Sequence, residues 1–99
     1  MSMSKILITI IFAVMCHLVG DYVLQSEFIA KTKGENWYHL FVHCALYCVP
    51  FLLCFGVSWK LATIFGVHIV VDALKARYNK IGYVADQVLH YLALFVYIN

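Results

Sequence analysis

Four apolar runs alternate with short polar clusters along this chain: Ile6 to Gln25, Trp37 to Gly56, Trp59 to Lys75 and Ile81 to Ile98. Each is close to the roughly 20 mostly apolar residues that a spanning helix needs. The pattern therefore predicts spans over about 6–25, 37–56, 59–75 and 81–98. Ser26 to Asn36 is the longest polar connection, Gly56-Val57-Ser58 is a tight one, and Ala76 to Lys80 holds Asn79 at a helix end or turn. Pro50 stands inside the second run, where it is expected to kink the helix and free the carbonyl of Leu46. Trp37, Tyr38, Trp59, Tyr78 and Tyr83 fall near run ends, as an aromatic belt requires. The fold class that follows is all-α: a four-helix transmembrane bundle, up-down-up-down, forming a single integral membrane domain over residues 1–99.

Composition supports a bilayer as the solvent. The chain is 65% hydrophobic and 12% charged, with a mean hydropathy of +0.88. A soluble domain is about half apolar and about a quarter charged, so too little polar surface is left to cover a water-soluble globule. This excludes a soluble enzyme domain, a disordered chain and a nucleic-acid binder with a basic face. A cleaved signal peptide is the rival reading of the first run. Its leading region carries only Lys5, and no pair of small residues follows the apolar stretch. Met15 before Cys16 is too bulky for lipoprotein processing. The first run is therefore read as an uncleaved span.

Charge sets the orientation. With four spans, Lys5 and Lys60 share one side, whereas Lys31, Lys33, Lys75, Arg77 and Lys80 share the other. The positive-inside rule places the two charged loops in the cytoplasm and both termini outside an inner membrane.

The polar residues within the runs are spaced for helices. His17, Asp21 and Gln25 are four apart in the first, and His39, His43 and Tyr47 follow the same spacing in the second. His68, Asp72 and Lys75 lie in the third, and Asp86, Gln87 and His90 in the fourth. Residues three or four apart share one helix face, so each span carries a single polar stripe. In an up-down-up-down bundle all four stripes fall toward the same end. His17, His43, His68 and His90 then form a layer about 6 Å deeper than Asp21, His39, Asp72 and Asp86.

One intramembrane His or Asp can simply bond a neighbouring helix. Seven at one level are costly, because a charged group at depth costs about 2.5–3.5 kcal/mol even on the lenient insertion scale. Imidazole and carboxylate suit zinc first, with manganese or iron as alternatives. The predicted metal ligands are His17, Asp21, His43, His68, Asp72, Asp86 and His90. They exceed the needs of one tetrahedral ion, so two ions, or one ion with orienting carboxylates around it, both fit. Cys16, Cys44, Cys48 and Cys54 lie in apolar helix without a C-x-x-C pair and read as small hydrophobes.

The segments HLVGDYVLQ (His17 to Gln25), LFVHCALY (Leu40 to Tyr47), HIVVDALK (His68 to Lys75) and DQVLH (Asp86 to His90) resemble domain-of-unknown-function family 3307. That resemblance implies a small bacterial or phage membrane protein and spans nearly the whole chain. It implies His17, Asp21, Gln25, His43, Tyr47, His68, Asp72, Lys75, Asp86, Gln87 and His90 as characteristic positions. His39 is not among them and becomes peripheral.

Two function classes lead. In a membrane-embedded, metal-dependent hydrolase, Asp21 or Asp72 acts as general base. Lys75 and Gln25 at the mouth stabilise negative charge on an amphiphile such as a lipid or isoprenoid phosphate. The other class is an ion, proton or metal pathway. It is disfavoured by the nearly unbroken apolar character of Ile6 to Met15, Cys48 to Val57, Leu61 to Val67 and Tyr91 to Ile98. A partner-binding membrane subunit is a third reading. A homodimer packed through the small Ala62/Gly66 step or the kinked second helix is also expected.

Overall fold

Short polar side chains start most of the helices. Ser2 Oγ accepts from the Lys5 amide at 3.3 Å and opens α1 (Met3–Leu18). Ser26 Oγ accepts from the Ile29 amide at 3.1 Å and opens α2 (Glu27–Thr32). Asn36 Oδ1 accepts from Tyr38 and His39 at the start of α3 (Trp37–Phe55), and Ser58 caps α4 (Trp59–Asp72). α5 (Tyr83–Ala93) follows Gly82 without a side-chain cap. Each such cap satisfies amides that the first helical turn leaves without a partner. Gly56 ends α3 at φ 79° and ψ −176°, a conformation open essentially to glycine alone. Asn79, at φ 53°, turns the chain between α4 and α5 as its side chain permits.

The architecture comes from a computed structural model that describes residues 2–98. Met1 and Asn99, the ends of the expected domain and of its outward termini, lie outside the described residues. Among those residues the fold is helical throughout, without strands. Three ends depart from α geometry. α1 runs on as a π-helical turn over Val19–Val23, α4 as another over Ala73–Arg77, and α5 tightens into a 3-10 segment over Leu94–Ile98.

Two of the four expected spans have the length and apolarity of a membrane-crossing helix. Met3–Val23 and Trp37–Phe55 are long and apolar enough to cross a membrane, whereas Tyr83–Ile98 is apolar but shorter. α4 with its π turn, Trp59 to Arg77, extends past the third run and carries Lys60, Asp72, Lys75 and Arg77, which lower its hydropathy. The polar stretch Ser26 to Asn36 holds a helix of its own, α2, which the hydrophobic pattern did not predict. α3 passes through Pro50 without a break in helical assignment.

α3 packs on α4 and α1, α4 on α5, and the Leu94–Ile98 segment returns against α1, giving dimensions of 43 × 24 × 22 Å. One end of the bundle is filled by Ala13, Cys16, Cys48, Phe51, Ile64, Leu94 and Tyr97, with Tyr47 at its upper edge. Its rings stack, with Tyr97 5.6 Å from Phe51 and 4.3 Å from Phe55 between centroids. This apolar floor lies beneath the polar residues. Two close approaches fix the other end. A Cβ on Gly20 would lie 2.7 Å from the Tyr47 carbonyl oxygen, so glycine lets α1 press directly on the backbone of α3. A Cβ on Gly34 would overlap the Ala76 carbonyl, so the connection after α2 lies against the π turn of α4. His39 joins that connection to α3, with Nδ1 2.6 Å from Thr32 Oγ1 and its ring on Phe28.

Candidate metal centre

Four helices deliver histidines to one level. His17, His43, His68 and His90 are all buried; the rings of His17, His68 and His90 pack on Tyr47, and His43 packs on His68. His68 packs on both the Tyr47 ring at 3.8 Å, nearly parallel to it, and the His90 ring at 4.3 Å. This stack fixes the plane of His68 and aims its Nε2 at Nε2 of His43, 2.9 Å away.

The His43 nitrogen has more neighbours than it can bond. Besides His68, it lies 3.4 Å from Asp21 Oδ1 and 3.3 Å from Asp72 Oδ2. His68 Nε2 is 3.9 Å from the same Asp21 oxygen. One imidazole nitrogen offers a single proton or a single lone pair, so it satisfies one of these three at a time. Separations of 2.9 to 3.9 Å bracket the edge of about 3.4 Å expected between ligands of a tetrahedral zinc ion with bonds near 2.1 Å. His43 Nδ1 and His68 Nδ1 are buried without a hydrogen-bond partner. Asp72 Oδ2 is within ion-pair reach of Lys33 and His43 but aligned for a hydrogen bond with neither. The donor set and its spacing therefore fit a divalent ion held by Asp21, His43 and His68, with Asp72 alongside.

The remaining predicted ligands divide. Asp86 and His90, one turn apart on α5, approach to 3.1 Å and lie within 4.8 Å of an Asp21 ligand atom. His17 is not brought into any of the possible ligand groups among the described residues. Its Nδ1 pairs with the Tyr47 hydroxyl at 2.7 Å and its Nε2 with Gln87 Oε1 at 3.1 Å. Gln87 Nε2 donates to Asp21 Oδ2 at 3.2 Å and Asp86 Oδ2 at 3.0 Å, which leaves its oxygen to accept from His17. The hydroxyl of Tyr47 then donates to His17 Nδ1. Tyr47 thus holds His17, His17 holds Gln87, and Gln87 orients the carboxylates of Asp21 and Asp86.

The mouth contains a residue that sequence reasoning missed. Lys33, buried after α2, reaches over the bundle to Asp72 Oδ2 at 3.1 Å and donates to Gln25 Oε1 at 2.8 Å. The Gly34–Ala76 approach and the Arg77 bond to the Gly34 carbonyl at 3.4 Å place it there. Lys75 lies 3.7 Å from Asp86 and over the Tyr83 ring, and Tyr22 and Tyr83 join their hydroxyls beside it. Cys44 packs with Leu40 and Ala73, as expected of a small hydrophobe, and its sulfur also lies within 4.8 Å of ligand atoms of His68 and Asp72. Its position next to His43 was the available signal for that reach.

His39 lies apart from this cluster, bonded to Thr32, as its peripheral assignment implies. The two π turns directly follow or include the aspartates of α1 and α4. Such turns recur at functional sites, where they re-aim side chains without ending a helix. Neither a curated protein nor a solved structure matches the chain. Residues 6–99 match the family described as protein of unknown function (DUF3307), and the chain belongs to that family.

Proposed function

We propose that this protein is a four-span membrane protein enclosing a divalent-metal centre, zinc first, that hydrolyses an anionic amphiphile such as a lipid or isoprenoid phosphate. The observation that carries the reading is the His43 Nε2 atom, crowded at ligand-polyhedron distances by His68, Asp21 and Asp72. The bilayer is supported by an inverted surface. Histidines and aspartates fill the interior, whereas Leu7, Ile11, Phe12, Leu53, Val84 and Leu92 are half or more exposed. In water such an arrangement exposes far more large apolar surface than a monomer tolerates.

A bound zinc ion would lower the pKa of a coordinated water toward about 7. Asp72, beside His43 and Lys33, would serve as the general base, its carboxylate holding the proton. Lys33, Gln25 and Lys75 ring the mouth and hold the negative charge of the substrate. Asp21, Asp86 and His90 are kept in place by Gln87 and by each other. The apolar floor under the histidines favours a reaction site over a continuous ion path, which needs polar groups along its whole length.

Metal analysis of protein purified in detergent without chelator tests the reading. At least one ion per chain is expected, with an ion lost in His43→Ala and in His68→Ala, and phosphate release from lipid phosphates lost in Asp72→Asn. Protein that contains no metal overturns the proposal.

A further inference from the structure

We infer that the bundle takes two divalent cations, with Asp21 as the carboxylate they share, the second lying among Asp86, His90 and Asp21. This rests on the metal reading above and extends it to a second site. Three observations carry it. First, Asp21, Asp86 and His90 each offer a ligand atom within 4.8 Å of the others, as Asp21, His43 and His68 do, so Asp21 belongs to both groups.

Second, Asp86 Oδ1 and His90 Nε2 are buried at 1% and 2% exposure and stand 3.1 Å apart, yet neither has an aligned hydrogen-bond partner. A buried pair at contact distance without a hydrogen bond is poorly satisfied, whereas an ion between the two would use a lone pair from each. Third, the two oxygens of Asp21 face different ways. Oδ1 faces His43 and His68, whereas Oδ2 accepts from Gln87, whose amide also holds Asp86. A carboxylate presented in this way bridges ions about 3.5–4 Å apart, the usual separation in two-metal hydrolytic sites.

Charge names the ligand class. Asp21, Asp72 and Asp86 are the carboxylates of the cluster, and Lys33 and Lys75 already stand against two of them. Two dications added to this set leave an excess of positive charge at the mouth. The species that neutralises it is a polyanion with several oxygens, and a phosphate monoester has both the charge and the bridging geometry. Gln87 is then a positioning residue, holding Asp21 and Asp86 at the spacing that two ions require.

Stripping the detergent-purified protein with chelator, reloading it with zinc or manganese alone and counting ions per chain tests this. The native chain is expected to hold two. Asp86→Asn and His90→Ala are each expected to hold one, and paired His43→Ala/His68→Ala is expected to lose the other. Manganese-loaded native protein is expected to give a spin-coupled paramagnetic resonance spectrum, and Asp86→Asn an uncoupled one. Asp86→Asn keeps the size of the side chain, so it decides the matter if His90→Ala fails to fold. One ion per chain that persists in Asp86→Asn and vanishes in His43→Ala overturns the second site and leaves the first. No ion in the native chain overturns both.

Discussion

The ammonium of Lys33 lies 3.1 Å from a carboxylate oxygen of Asp72, 39 residues further along the chain, and both side chains are almost fully buried. A lysine from a polar connection thus serves as counter-charge to an aspartate in the bundle. Burying two charges is compensated only while each has its partner. Lys33→Met is expected to destabilise chelator-treated protein by about 3–5 kcal/mol, since Asp72 then loses its lysine counter-charge and keeps only the His43 imidazole beside it. Adding Asp72→Asn to the same chain is expected to recover most of the loss. Thermal unfolding in detergent of the two single variants and the double variant measures the coupling. Additive losses would refute it.

Gly20 and Gly66 make a matched pair. A Cβ on Gly20 would strike the backbone of Tyr47, whereas one on Gly66 meets nothing within 4 Å. Gly20→Ala is expected to cost about 1–3 kcal/mol by forcing α1 away from α3. Gly66→Ala is expected to be neutral or to add up to about 1 kcal/mol through helix propensity. Melting temperatures of the two variants check the contrast, and equal shifts would contradict it.

Tyr47→Phe removes only the hydroxyl that donates to His17 Nδ1. Leaving that buried nitrogen without a donor is expected to cost about 1–3 kcal/mol. Metal content per chain is expected to remain unchanged, because His17 and Tyr47 stand behind the ligands. A variant that keeps its stability but loses metal would place His17 among the ligands instead.

The polar site was legible where helix spacing alone decides contact. His17 and Asp21, His68 and Asp72, and Asp86 and His90 share helix faces by their spacing, and the bundle topology brings the faces together. Lys33 was not legible. In the sequence it is one of two lysines in a polar stretch, and its burial depends on the Gly34–Ala76 approach between distant segments. The role of His17 was hidden for a similar reason, since both its partners come from other helices, 30 and 70 residues away. The π turns leave no periodic signature either, because one widened turn barely changes the hydrophobic pattern.

Orientation gives a prediction independent of the metal. With five basic residues near Lys31 and Lys75 against two near Lys5 and Lys60, the mouth is expected to face the cytoplasm. Reporter fusions at Asn99 are expected to report outside, and fusions within Glu35 to Trp37 to report cytoplasm. The opposite pattern would turn the site toward the other face.

The Gln87 bridge, which binds His17 and Asp21 across 70 and 66 residues, also sets the order in which the protein can be built. As the ribosome releases the chain from its N-terminal end, α1 is made long before α5 exists. Until α4 is made, Asp21 has neither His68 nor Gln87, and Asp72 does not yet exist to meet Lys33. A nascent chain stalled after α4 lacks the amide that holds Asp21 and Asp86 together. α5, made after the other four helices, is therefore the segment that locks the polar interior.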